Sequence, residues 1–311
     1  MNSESSIAVA ARRLAHHRSA RWGLAVITIL VLAALVGPHL SPYSCAEQLG
    51  IVKLKNAPPS WSHPFGTDQY SRDVLTRVLC GARVSLAVAT LSVLLSMTLG
   101  AAYGLIAGYA GGRVDSAMMR ILDALLSIPR VLLLIAVLTL WDRVPLTGLI
   151  VLLGATGWFG VSRLVRAETL TAKRLDYVAA ARALGADDVR ILWRHLLPNV
   201  LSPVIVAATL AVGNVIALEA GLSYLGLGAR EPTASWGSIF NDGIELFAGN
   251  WWVALFPGIA IVVTVLAFNV LGDALRDVLD PRQVHLARPL PKSTLSASAE
   301  VPVLNPKRLS S

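Results

Sequence analysis

The side chains of this 311-residue chain that could do chemistry are few and do not converge. Its six histidines are His16, His17, His39, His63, His195 and His285. None opens a His-Glu-x-x-His zinc pattern, and adjacent His16 and His17 would not face one site on a helix. Gly221-Leu222-Ser223-Tyr224-Leu225 approaches the Gly-x-Ser-x-Gly nucleophile elbow but fails at its last position. The Walker A phosphate loop is absent, because only Lys292 is followed by Ser or Thr and no glycine precedes it at the needed spacing. Neither a catalytic residue, a metal nor a cofactor is therefore expected on this chain. Uphill work would draw its energy from another chain or from an ion gradient. Two cysteines, Cys45 and Cys80, cannot build a disulfide framework or a four-ligand zinc site.

The remaining candidates are polar residues inside apolar runs: Asp123, Arg130, Asn214, Glu219 and Asn269. Ionisable groups in such positions mark pathways or interhelical pairs. Asp123 and Arg130 are two helical turns apart, so they share a face, yet lie about 10 Å apart along the axis. Pairing with each other and pairing with other helices both stand open. Pro129 is expected to kink their helix.

What must position these residues is a membrane scaffold. The chain is 55% hydrophobic and 15% charged, with a mean hydropathy of +0.62. Soluble domains average about 25% charged residues, so a soluble enzyme and a disordered chain are both excluded. Six runs reach the roughly 20 apolar residues that a span requires: 22–40, 86–108, 121–141, 146–165, 200–222 and 252–272. The first ends without a small-x-small cleavage site, so it is read as an uncleaved span. Of the 27 Lys and Arg residues, 19 fall on one set of connecting segments and 7 on the other, with Arg130 inside a span. The excess marks the cytoplasmic side and puts both termini there. The net charge of +8 is thus a topology signal. No nucleic acid partner is expected, because no stretch interleaves basic and aromatic residues.

This organisation divides the chain into a cytoplasmic segment 1–21, a first span with an extracytoplasmic loop over 22–83, a five-span core over 84–282 with a cytoplasmic hairpin at 166–199, and a Pro- and Ser-containing tail 283–311 that reads as disordered. Cys45 and Cys80 fall on the outer side, where a disulfide can form, but sequence does not give their separation. Gly100, Gly104 and Gly108 make a small-x3-small face suited to helix packing. Trp236, Trp251 and Trp252 read as membrane-interface anchors.

The most informative stretch covers residues 177–199. Strong helix formers run from Ala179 to Leu184, and Gly185 offers a left-handed C-terminal cap. Asp187 and Asp188 open a second helix, where carboxylates complement the dipole. Pro198 is expected to break that helix before the fifth span. The alanines leave a flat face that another protein could approach, although an ordinary surface hairpin would look the same.

The pattern Ala179-Ala180-Ala181-x3-Gly185-x9-His195-x-Leu197-Pro198 resembles the "EAA" signature of ABC-importer permeases. The family pattern opens with Glu where this chain has Ala179, and commonly has Ile where this chain has His195. An ion pair made by that Glu is therefore not carried over, while the spacing, the Gly turn and the Leu-Pro end are intact. The resemblance extends over residues 62–74, 81–86, 222–228, 235–237 and 269–282, and is closest to the second, C-type permease of the dipeptide/oligopeptide/nickel branch.

The resemblance implies an all-α membrane protein with six transmembrane helices, the type I ABC-importer permease fold and cytoplasmic coupling helices. It implies a multi-pass subunit of the bacterial plasma (inner) membrane that translocates without catalysing. Its partners would be a homologous permease, two ATP-binding subunits carrying the ATP, an extracytoplasmic substrate-binding protein and membrane lipid. Residues Ala179, Ala180, Ala181, Gly185, His195, Leu197 and Pro198 would couple to the ATPase. Small peptides are the expected cargo, with nickel or another small solute next. An ion-coupled secondary transporter would need broken helices with polar ion sites, and an intramembrane hydrolase a convergent catalytic set.

Overall fold

The structure is a computed structural model that describes residues 14, 16–50, 53–141, 144–228, 233–244 and 247–279. Arg12, Arg13, Arg143, Arg230 and the tail 283–311 lie outside the described residues. Among the described residues ten α-helices follow one another: α1 (Arg18–Leu40), α2 (Val74–Ala110), α3 (Gly112–Leu126), α4 (Arg130–Leu138), α5 (Leu146–Ala172), α6 (Asp176–Ala183), α7 (Asp188–Ile191), α8 (Leu197–Tyr224), α9 (Trp236–Ile244) and α10 (Phe247–Leu279). A π-helical turn, Leu192–Leu196, joins α7 to α8.

Among the described residues five stretches are long and apolar enough to cross a membrane. The sixth expected span falls on the bent pair α3 and α4, which meet at 68° and are long and apolar enough to cross only when taken together. Pro129 is the cause. It has no N–H to continue the α3 ladder and it disfavours a helical residue before it, so the chain turns and restarts at Arg130 with Pro129 as N-cap.

The scaffold centres on α2 packed against α5. Helices in lipid associate through close packing rather than a hydrophobic force, and glycine permits the closest approach. A Cβ on Gly100 would lie 2.7 Å from the Val161 Cβ, and one on Gly108 would lie 2.8 Å from the Thr169 Cβ. The small-residue face at Gly100, Gly104 and Gly108 is thus a helix-packing face, as expected. Around it lie buried Val88, Ala89, Leu134, Leu138, Leu149, Leu153, Val165, Ile216 and Leu222.

Helix α1 is held to α2 by a device that follows from its own proline. Pro38 cannot donate to the Ala34 carbonyl four residues earlier. Arg83 of α2 supplies the missing donor, its Nε lying 2.6 Å from the Ala34 oxygen and its Nη2 2.6 Å from that of Leu35. Cys45 and Cys80 are joined by a disulfide, with Cα atoms 6.1 Å apart. It ties the loop after α1 to α2.

Two expectations are corrected. Pro198 does not break the helix that starts at Asp188; residues Asp188–Tyr224 form one long apolar rod. The π-turn ahead of it widens the ladder, and Pro198 then sits in the first turn of α8, where no N–H is required. Trp236 and Trp252 are not interface anchors, because each is buried and donates its indole N–H to a carbonyl, that of Val78 at 2.9 Å and of Thr67 at 3.0 Å. Trp251 alone of the three is exposed.

Candidate functional site

The hairpin of α6 and α7 is built around Gly185. Gly185 has φ +81°, its N–H donates to the Arg182 carbonyl at 3.0 Å, and the Ala186 N–H donates to the Ala181 carbonyl at 3.1 Å. That pair of bonds is the Schellman C-cap, which a left-handed residue completes. Glycine takes this conformation without the steric cost of a Cβ. On one side Val178, Ile191 and Leu196 are fully buried and fasten the hairpin to the spans. In contrast Leu184 is 89% exposed and Trp193 69% exposed, and Val189 and Leu175 are exposed as well. Ala179 and Ala180 are exposed, as are Gly185 and Pro198, while Ala181, His195 and Leu197 are half-buried.

A second set of contacts locks the hairpin to the rod behind it. Asn199 Nδ2 donates to the His195 carbonyl at 2.6 Å and to the Tyr177 hydroxyl at 2.9 Å, and that hydroxyl also reaches the His195 carbonyl at 3.5 Å. These side chains tie the end of the π-turn to α6 and to the first turn of α8. Partial burial raises the Tyr177 phenol above its ordinary value, outweighing the opposing hydrogen bond from Asn199, so it stays neutral at neutral pH. His195 takes part here through its carbonyl, and its ring lies 6.3 Å from that of Tyr177.

The polar residues within the spans fall into separate groups. Asp123 is paired with Arg163 of α5, both largely exposed. Arg130 donates to the Leu153 carbonyl at 2.8 Å and to Thr156 Oγ1 at 3.2 Å. Both residues therefore pair with α5 and not with one another. Glu219 is buried and accepts from the hydroxyls of Ser223 and Ser235, each at 2.7 Å. Asn214 is exposed, and Asn269 is half-buried on α10 facing Gly213. Among the described residues no group of three or more His, Cys, Asp or Glu could hold a metal.

Two family profiles match the sequence. One, described as binding-protein-dependent transport system inner membrane component, covers residues 100–285, more than half the chain and all of the hairpin. The other, described as the N-terminal TM domain of oligopeptide transport permease C, covers residues 5–59. The chain belongs to the binding-protein-dependent permeases. It is 44% identical over 272 residues to the dipeptide transport system permease protein of Bacillus subtilis, covering 87% of this chain and 84% of that one. It is 38% identical over 272 residues to the oligopeptide transport system permease protein of the same organism, covering 87% and 88%. It is 40% identical over 274 residues to the glutathione transport system permease protein of Pectobacterium atrosepticum, covering 87% and 89%.

Between the two profiles the permease holds a feature that sequence reading missed. Asp68 accepts from Arg72 Nε and Arg77 Nη1, both at 2.7 Å, and from the backbone N–H groups of Tyr70 and Arg72. Arg77 Nη2 reaches on to Asp242 at 3.0 Å. Asp73 caps α2 through the Thr76 N–H at 2.8 Å and meets His63 Nδ1 at 3.0 Å. The distribution of charge along the chain reads Arg72 and Arg77 as topology signals alone. Their pairing across 165 positions, from Arg77 to Asp242, leaves no periodic signature. The loop after α1 is in consequence fixed as a platform on the N-terminal end of α2.

Proposed function

We propose that this permease subunit translocates di- and oligopeptides as part of an ATP-driven importer. In this reading it pairs with a homologous permease, two ATP-binding subunits and an extracytoplasmic substrate-binding protein, and both termini face the cytoplasm. The observation that carries it is the α6–α7 hairpin. It leaves Leu184, Val189 and Trp193 exposed, although it is fastened from behind by buried side chains. Exposed apolar groups on a rigid support are the signature of a docking surface. ATP-driven closure of the docked subunits would displace the hairpin as a unit, since Gly185 and the Tyr177–Asn199 contacts fix its shape. The rod from Asp188 to Tyr224 would carry that displacement into the membrane without a joint.

Peptide cargo rests on the dipeptide, oligopeptide and glutathione relatives, all of which move peptide-bonded compounds. Asp123, Arg130 and Glu219 already have neighbouring partners, so Asn214 and Asn269 are the candidates we assign to the path. The chain's own role is gating, with ATP hydrolysis on the partner subunits.

The test is purification of the chain from its native membrane followed by reconstitution into vesicles. ATPase chains should co-purify, and labelled dipeptide uptake should require ATP and survive collapse of the ion gradients. Uptake that follows an ion gradient without ATP would overturn the proposal in favour of a secondary transporter. Competition by nickel but not by peptide would overturn the cargo.

A further inference from the structure

The inner end of α2 carries a contact that neither the family motif nor the membrane-embedded polar residues account for. Tyr109, the penultimate residue of α2, donates its hydroxyl to the Asp188 carboxylate at the start of α7. The same hydroxyl accepts from Arg182 Nη2 of α6 at 3.3 Å, and the Arg182 guanidinium carbon lies 5.9 Å from the Tyr109 ring centre. One oxygen therefore touches the helix before Gly185 and the helix after it. The backbone beneath it is also held: Lys173 Nζ, just beyond α5, donates to the carbonyls of Gly108 and Tyr109, each at 3.0 Å.

The rest of α2 is equally constrained. Its 37 residues span about 55 Å at the usual rise. Gly100, Gly104 and Gly108 press it onto α5. At the outer end Asp73 caps it, Arg77 binds Asp68, and Cys80 is bonded to Cys45. A helix gripped along its length and at both ends moves as a body. Its only hydroxyl contact with the hairpin helices among the described residues is Tyr109.

We infer that Tyr109 is a positioning residue that pins the α6–α7 hairpin to α2, so that hairpin displacement reaches the outer platform through α2 as well as through α8. The inference rests on the importer reading given above. In that scheme two rods leave the hairpin. One is its own continuation, α8; the other, α2, meets the hairpin helices at Tyr109, whose hydroxyl bonds Asp188 and Arg182 and whose ring lies under the Arg182 guanidinium. Losing the hydroxyl should separate ATP hydrolysis from translocation without detaching the ATPase.

The experiment uses the whole complex in vesicles, with the binding protein and a labelled dipeptide, and reads peptide moved per ATP hydrolysed. In Tyr109→Phe the ring remains and only the hydroxyl is lost. ATPase chains should co-purify as with the unaltered protein and ATP turnover should persist. Peptide per ATP should fall about tenfold, the effect of about 1.4 kcal/mol of lost coupling. Asp188→Asn keeps an acceptor for the tyrosine and should retain most of the ratio, whereas Asp188→Leu should match Tyr109→Phe. An unchanged ratio in Tyr109→Phe would overturn the pin while leaving the importer reading intact. Loss of ATPase co-purification in Tyr109→Phe would also overturn it, since the residue would then serve docking. Absence of ATPase chains from the unaltered protein would overturn the importer reading and the pin with it.

Discussion

Gly104 of α2 lies so close to Ser162 of α5 that a Cβ built on it would stand 2.5 Å from the Ser162 carbonyl oxygen. No side-chain rotation relieves a clash with backbone. Gly104→Ala must therefore push the two helices apart. Overpacking of this kind costs about 1–3 kcal/mol, and here it acts on the helix pair that centres the fold. Thermal unfolding of the purified chain in detergent should show a clear drop. Gly160 is the contrast, because nothing lies within 4 Å of its would-be Cβ. Gly160→Ala should be neutral or stabilising by roughly 0.5–1 kcal/mol, the helix preference of Ala over Gly. Equal melting temperatures for the two variants would refute the packing argument.

Cys45 and Cys80 close a loop of 35 positions. A cross-link of that length stabilises by about 2–4 kcal/mol. Alkylation of the denatured, unreduced protein should modify neither cysteine, and alkylation after reduction should modify both. Cys45→Ser should lower the melting temperature, and Cys45→Ser with Cys80→Ser should lower it no further. Free thiols before reduction would contradict the bond.

The Asp68 cluster sets the next expectation. Asp68 sits fully buried between Arg72 and Arg77. Removing one member of a buried ion cluster strands the others and costs about 3–5 kcal/mol. Asp68→Ala should therefore reduce the amount of folded chain in the membrane far more than Lys53→Ala on the same loop, where the side chain is exposed. Comparable levels of the two variants would show that the cluster does not hold the platform.

How far the sequence discloses this architecture depends on whether a feature is local. The apolar runs are local, so five spans and the sixth, bent one are legible. So is the bend, because Pro129 acts on its own neighbours. Gly185 is legible for the same reason. The start of α2 at Val74, well ahead of residue 86, is not. That turn carries buried Thr76 and Arg77, whose polarity hides a helix from a hydropathy reading. Pro198 misled because the π-turn that accommodates it is a backbone adjustment without a residue signature. Trp236 and Trp252 misled because an interface tryptophan and a buried one differ only in whether a carbonyl is within reach of the indole. The partners of Arg83, Arg77 and Tyr109 all come from distant segments, so neither composition nor spacing reveals them.

The hairpin gives the last prediction. Gly185 adopts φ +81° with open space where a Cβ would be, so a substitution there meets backbone strain and no collision. An L-residue in this left-handed region costs about 1–2 kcal/mol, and a β-branched one more. Gly185→Asn should be the mildest change, since Asn tolerates the region best, and Gly185→Val the most severe. Gly185→Val should weaken the Schellman bonds, let α7 swing relative to α6 and lower both transport and co-purification of ATPase chains. The spans should insert normally, because each satisfies its own backbone in lipid. Asp188 cannot serve as the neutral control that its place in the first turn suggests, because Tyr109 is bonded to it. Asp187 can: it is the N-cap of α7 and makes no side-chain capping bond. Asp187→Ala should cost only the modest dipole contribution of about 0.3–1 kcal/mol and leave transport near normal. Normal dipeptide uptake and full ATPase recovery in Gly185→Val would show that the rigidity of this turn has no part in coupling.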